Sequence, residues 1–559
     1  KSVQKLNLIV NEKAETGDNM TSCNFNLKQK FHYTARVLLQ FKQVSDCHSL
    51  LRMRADQGVL MLCFLLFSVG AIEALSYDYS STIEARNIYT FSAWIQVSEG
   101  KEAVTAVVKM TKAYEIVGTV FADSGCWSML KGGISVDSSG PAELYFESKN
   151  TSVEIRADSI SLQPFTKEQW RSHQDESIEK VRKTKVRIHA VDSEGRIIGG
   201  AKVSIKQIKP NFPFGSAMNK NILTNTAYQN WFTSRFALTT FENEMKWYVN
   251  EAYPGKEDYS VSDAMLQFAK QHGIAVRGHN IFWDDETYQL WWVKSLSSDK
   301  LRAATEKRIN SVVSKYAGQV IAWDVVNENL HFSFFEERLG KKFTPIMFEK
   351  AHQIDSKATM FLNDYNTIEE SRDRKSTPTQ YIQKIREIQS SLANKNVPLA
   401  IGLEGHFGVP NIAYMRSALD TLAATGLPIW LTELDVKEHP KQAEYLEEIL
   451  REAHSHPAVK GIILWTAWLP NGCYRMCLTD NNFKNLPTGD VVDKLISEWT
   501  HKNLVGTTNN NGFFETSLFH GDYEVEITHP NTNSSLAQNF KVSAIESSQG
   551  TTLQLHIII

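Results

Sequence analysis

Eight short apolar runs, each followed by an amphipathic segment, constrain this chain more than any other feature. They lie at residues 212–218, 236–244, 274–283, 320–328, 358–366, 400–407, 428–436 and 459–468. They are rich in β-branched and aromatic residues, as buried strands are. Their ends fall roughly 26–45 positions apart, a spacing that suits strand–helix units. Between them, Met265, Phe268 and Ala269 line one helical face closed by Gly273. Leu301, Ile309, Val312, Val313 and Tyr316 line another, closed by Gly318. Thr344-Pro345 and Thr377-Pro378 read as helix starts. Tyr445, Leu446, Ile449, Leu450 and Ala453 form a further stripe that Pro457 stops. Eight such units between residues 210 and 500 have the size of a (β/α)8 TIM barrel. A doubly wound open sheet is the rival, weakened because no strand runs into a G-x-G-x-x-G turn.

The polar residues of these runs gather at the carboxyl ends. Glu242, Asn243 and Lys246 follow the second strand, and His279, Asn280 and Trp283 sit late in the third. Asn327 and Glu328 end the fourth; Asn363, Asp364 and Tyr365 end the fifth. Glu404 and His406, Glu433 and Asp435, and Trp465 close the last three. In a barrel all would meet at the face where active sites form. Taken singly, Glu328 or Glu433 could cap a strand or pair with a lysine. Together, two carboxylates at the ends of buried strands are what hydrolysis of a glycosidic bond requires.

Composition narrows the class further. A chain of 559 residues is too long for one ordinary core, and 42% apolar with 22% charged residues describes a soluble globular protein. A net charge of −3 provides no basic stripe for nucleic acid. Six cysteines are too few for a disulfide scaffold; Cys473 and Cys477 could close a small loop, which would leave Cys126 single if the amino-terminal segment is removed.

The amino-terminal quarter reads differently. Residues 1–52 are polar and are assigned no fold. Residues 53–74 carry Met53-Arg54 and an apolar run of signal-peptide length, with Leu75 as the expected mature start. A secreted, extracellular or cell-wall location and no membrane in the mature form follow as expectations. Residues 75–165 alternate with period two and are expected to form a small β-sandwich. Asn150 and Asn533 head N-glycosylation tripeptides. A charged linker is expected over 167–185. A hairpin at 186–209 and a β-rich tail at 501–559 are expected to pack as one unit against the barrel ends.

The runs Trp323-Asp324-Val325-Val326-Asn327-Glu328 and Thr432-Glu433-Leu434-Asp435 resemble the family-10 glycoside hydrolases, endo-β-1,4-xylanases, and most of all their plant branch. Thr240-Phe241-Glu242-Asn243-Glu244-Met245-Lys246-Trp247, Gly278-His279-Asn280-Ile281-Phe282-Trp283 and Leu362-Asn363-Asp364-Tyr365-Asn366 agree with it, and the match covers roughly residues 170–500. The resemblance implies that Glu328 is the acid/base and Glu433 the nucleophile, with His406 and Asp435 orienting and charging Glu433. It implies that Asn327 and His279 hold the sugar at the cleavage point, and that Glu242, Asn243, Lys246 and Trp283 hold the next one. Tyr365, Glu404 and Trp465 are placed with them along the cleft. Retention of configuration, no metal or organic cofactor, a xylan substrate and a monomer are expected. A transglycosylase of the same fold and a non-catalytic xylan-binding protein are the alternatives.

The chain departs from that family at Glu404, where Gln is usual, at Asp284, where His is common, and at Thr466, where Gly is usual. Cys473-Tyr474-Arg475 replaces an expected tryptophan loop. Ahead of the barrel, residues 124–133 and 142–147 resemble a family-22 carbohydrate-binding module, shortened at its amino-terminal side.

Overall fold

The computed structural model describes residues 75–558 except 112, 137, 394, 501–502, 533 and 545–551, and only the backbone of 75–82. The upstream segment 1–52, the signal-like stretch 53–74 and Asn533 lie outside the described residues. Among those described, no helix is long and apolar enough to cross a membrane. The chain divides into two compact units at Thr166.

The first unit is a two-sheet β-sandwich. Its strands are β1 (Leu75–Ile83), β2 (Ile88–Val97), β3 (Lys101–Met110), β4 (Tyr114–Asp123), β5 (Ser128–Ser135), β6 (Gly140–Ser148) and β7 (Ile155–Phe165). They form sheets of order β1-β6-β3-β4 and β5-β2-β7. Alternation buries Tyr89, Phe91, Ala93, Ile95 and Val97 of β2 against Val104, Ala106 and Val108 of β3. Residues 76–80 lie within β1, which pairs with β6. The amide nitrogen of Asn150 donates to Glu102 Oε1 at 2.7 Å. Cys126 is disulfide-bonded.

The second unit opens with a helix, Lys167–Arg182, where a linker was expected. Its buried positions Trp170, Gln174, Ile178 and Arg182 recur at helical spacing, but two are polar, so no apolar stripe is visible in the sequence. The polar pair is satisfied on the helix Gln442–Ser455. Trp170 Nε1 and Gln174 Nε2 donate to Glu452 Oε2 at 2.9 and 2.7 Å. Arg182 caps the far end of that helix, donating to the carbonyls of His454, His456 and Val459.

Strands β8 (Lys183–Val191) and β9 (Lys202–Pro210) follow directly. The tail strands β21 (Leu504–Thr507), β22 (Phe513–Phe519), β23 (Gly521–Thr528), β24 (Ser535–Val542) and β25 (Thr552–Ile558) pair with them in sheets β21-β9-β23-β24 and β22-β8-β25. Val186, Ile188, Val203, Ile205, Val525 and Ile527 fill the space between these sheets.

The barrel lies between hairpin and tail in the chain. Its strands are β10 (Phe214–Ser216), β11 (Leu238–Thr240), β12 (Ala275–Gly278), β14 (Ala322–Asp324), β16 (Thr359–Asp364), β17 (Leu399–Leu403), β19 (Ile429–Val436) and β20 (Val459–Leu464). All neighbours are parallel, in the order β10-β20-β19-β17-β16-β14-β12-β11. A parallel bridge between Met218 and Phe241 joins the two ends, so the sheet is a barrel and the open-sheet rival falls. Burial on both faces explains the continuous apolar runs. Short strands β13 (Phe282–Trp283), β15 (Val326–Asn327) and β18 (His406–Phe407) extend the mouth. The run 320–328 is therefore not one strand: it breaks at Val325, and Ile321 is 40% exposed. Thr377 caps the helix Pro378–Ser391 as expected, its hydroxyl accepting from Gln380 N. Thr344 does not cap; its helix starts at Phe343 and its hydroxyl reaches Asn329 and Glu336.

Candidate active site

Asn363, the penultimate residue of β16, is the hub of the barrel mouth. Its amide nitrogen lies 2.9 Å from Asn327 Oδ1, 3.0 Å from Glu433 Oε1 and 3.1 Å from Glu404 Oε1. Two N–H bonds thus serve three acceptors. Its oxygen accepts from Thr432 Oγ1 at 2.5 Å and Arg277 at 3.4 Å. Gly402 on the adjoining strand makes room: a Cβ there would collide with Asn363 Oδ1. Asn327 in turn donates to Glu328 Oε1 at 3.3 Å. Glu328 and Glu433 therefore belong to one polar network, Glu328–Asn327–Asn363–Glu433. Asn363 was legible as a strand-end residue but was not among the expected site residues.

Glu328 is 9% exposed and has a left-handed backbone, φ 59°. Such a conformation strains a non-glycine residue, and strain of this kind collects at functional sites. Burial pushes its carboxyl up to about 8; Asp364 and Glu433 add to the rise, while the Trp283 indole N–H and Lys246 oppose it. Desolvation is the larger cause and the neighbouring anions the smaller.

His279 sits 2.8 Å from Asp324 through Nδ1 and 3.8 Å from Glu433 through the same atom. Burial lowers its pKa to about 3, so the ring is neutral. Lys246 is buried beneath two rings, 4.5 Å from the Trp283 centroid and 5.6 Å from that of Trp465. Its ammonium donates to Asn243 Oδ1 at 3.3 Å, which Tyr248 also reaches at 2.7 Å. Burial lowers the Lys246 pKa, against the pull of Glu433, Glu328, Glu404 and Glu242. Glu242 accepts from Asn219 at 3.2 Å, and burial raises it to about 7. Trp283 stacks on Tyr288 at 4.0 Å, and Tyr365 on His331 at 3.7 Å.

Glu404 and His406 depart from the expected arrangement. His406 Nε2 is 3.4 Å from Glu404 and 3.9 Å from Glu433, so it faces the third carboxyl more closely than the expected partner. Its Nδ1 is 3.1 Å from Asp435, as expected. Burial alone would lower His406, but Asp435, joined by Glu404 when that carboxyl is ionised, outweighs it and holds the ring well above its ordinary value. Burial, with Glu433 and Glu328 adding, drives Glu404 well above the usual carboxylate range. Ligand atoms of Glu404, His406 and Glu433 lie within 4.8 Å of one another, so this trio could hold a metal ion, although the sequence implied none.

Two departures noted in the sequence prove to be framework. Asp284 is held by its neighbours: it accepts from Phe335 N at 2.9 Å and from Asn329 at 2.5 Å. Thr466 takes φ 64°, which explains why a glycine suits this place, and its hydroxyl reaches Glu242. Cys473 and Cys477 are bonded, with Cα atoms 5.3 Å apart.

The glycosyl hydrolase family 10 model matches residues 204–492, which span the barrel and every residue of this network. The chain belongs to glycosyl hydrolase family 10. It is thus a glycoside hydrolase. This family-10 chain is 45% identical over 454 residues to the endo-1,4-beta-xylanase 5-like protein of Arabidopsis thaliana, covering 79% of itself and 80% of that protein. It is 46% identical over 453 residues to endo-1,4-beta-xylanase 5 of the same plant, with the same coverage. Native xylanase 10B of Thermotoga maritima aligns with a TM-score of 0.45 at 26% identity, over 52% of this chain and 97% of that one.

Proposed function

We propose that this family-10 chain is a secreted, retaining endo-1,4-β-xylanase. One observation carries the reading: Glu328, held protonated by burial, shares the Asn327–Asn363 bridge with Glu433. In the first step Glu433 attacks the anomeric carbon while Glu328 gives its proton to the departing glycosidic oxygen. In the second, Glu328 takes a proton from water, the water oxygen bonds to the anomeric carbon, and Glu433 leaves as carboxylate. Neutral His279 and Asn327 hold the sugar between them. Glu242, Asn243, Lys246 and Trp283 hold the next residue, with Trp465 and Tyr365 as side walls.

The relatives named as xylanases support xylan as substrate. The signal-like stretch at 53–74 supports export, as does the Cys473–Cys477 bond, since such bonds persist in oxidising compartments. The amino-terminal sandwich is taken as a carbohydrate-binding module, supported by its two-sheet form and the sequence likeness.

The test is xylan digestion by the wild type, Glu328→Ala and Glu433→Ala. Glu328→Ala is expected to lose about 10²–10⁴-fold in rate, and Glu433→Ala to release no glycosyl-enzyme intermediate in mass spectra. The proton on Glu328 must be present for the first step. Because its pKa is raised to about 8, kcat/KM stays high below that pH and falls above it. The β-anomer as first product in NMR supports retention. An inactive wild type would favour the binding reading, and transfer to an added oligosaccharide acceptor in preference to water would favour transglycosylation.

A further inference from the structure

The five-residue loop closed by the Cys473–Cys477 bond carries one charged side chain, Arg475, and it turns inward. Its Nε donates to Asp435 Oδ1 at 2.7 Å, and a terminal nitrogen donates to Phe407 O at 2.5 Å. Asp435 is 1% exposed. The same Oδ1 lies 3.1 Å from His406 Nδ1. Arg475 therefore grips both neighbours of the β18–β19 pair, in which His406 is opposite Asp435 and Phe407 opposite Val436. The loop backbone is also tied down: Gln442 Nε2 bridges Val436 O at 2.7 Å and Arg475 O at 3.1 Å.

We propose that Arg475, anchored by the Cys473–Cys477 loop, is the positioning residue that fixes Asp435 and His406 beside Glu433. The inference rests on the hydrolase reading above and names a part of the machinery that reading does not use. Because Arg475 and His406 approach one carboxylate oxygen, the guanidinium limits how strongly the Asp435 charge attracts the imidazolium. It also neutralises an anion next to the nucleophile. The groups facing His406 are Asp435, Glu404, Glu433 and Glu369, the last accepting from the His406 backbone N at 3.2 Å. Glu433 further meets Asn363 and His279, with Lys246 and Glu328 acting on the same cluster. Without Arg475 the cluster gains net negative charge, so the acid limb of the reaction should move to higher pH.

The experiment compares wild type, Arg475→Gln, Arg475→Lys and a Cys473→Ser/Cys477→Ser double variant on an aryl β-xylobioside, with melting temperatures measured alongside. Arg475→Gln should lose on the order of 10- to 100-fold in kcat, as small misplacements of reacting groups do. Its KM should change little, and the acid limb of kcat/KM should move to higher pH. Arg475→Lys should restore the acid limb in part, since charge returns without the forked geometry. The double variant should move in the same direction as Arg475→Gln by a smaller amount. A wild-type kcat and acid limb in Arg475→Gln would overturn the proposal. So would a lower kcat with an unmoved limb and a lower melting temperature, the mark of a merely structural role. Inactivity of the wild type itself would instead count against the hydrolase reading.

Discussion

The barrel and the β-unit built from hairpin and tail are both sheets within one compact unit, yet they handle polar groups in opposite ways. In the barrel every strand runs the same direction, so all carboxyl ends reach one rim, and Glu328, Glu404, Glu433, Asp435, His279 and His406 meet there. In the hairpin–tail unit strands mostly alternate direction, each end faces a different rim, and the space between sheets is apolar. Its buried tyrosine, Tyr523, only donates its hydroxyl to Phe519 O at 2.8 Å. Parallel order concentrates titratable groups; antiparallel order disperses them and leaves a region whose contribution is stability.

The largest expected effect that separates these roles is at the hub. Asn363→Ala should cut kcat on the order of 100-fold or more, because Glu433 and Asn327 lose a shared donor. Its melting temperature should shift by only a few degrees, and unchanged turnover would break the contrast. Next, deleting residues 506–559 strips β8 of both its partners, β22 and β25, and β9 of β23. Six residues of the core between the two sheets, Leu518, Tyr523, Val525, Ile527, Val542 and Ile557, leave with it. The melting temperature should fall by about 10 °C or more, and an undiminished value would show that the tail does not clamp the barrel.

The smallest effect is at Glu404. A carboxyl kept protonated by burial has the charge and nearly the shape of glutamine, so Glu404→Gln should leave neutral-pH turnover within about threefold. Its folded-state pKa lies above the ordinary 4.5, so between those values the folded chain binds the extra proton and wild-type stability declines as pH rises. Glutamine escapes that decline. The melting-temperature advantage of Glu404→Gln should be absent near pH 4 and grow toward pH 8; a pH-independent difference would contradict a buried neutral carboxyl.

What the sequence disclosed tracks how local each cause is. The barrel strands were legible because burial on both faces writes unbroken apolar runs, and Glu328 and Glu433 stood out as charges ending them. The break at Val325 was not legible, because it depends on which neighbouring strand each half meets. Helix Lys167–Arg182 was hidden because half its buried face is polar and satisfied only by Glu452 and distant carbonyls. Asp284 stood out only as a departure from the family pattern; its two acceptor roles toward Asn329 and Phe335 depend on distant segments and were not legible. Arg475 gave no signal of its own; only the flanking cysteines hinted that its loop was held.

Thr466 sets two demands against each other at a single position. Its left-handed backbone disfavours any β-branched side chain, at a cost of about 1–3 kcal/mol. Glycine would relieve that contortion and lose the hydroxyl that steadies Glu242. A chain made sturdier at this spot would therefore hold the Glu242 carboxyl with a looser hand.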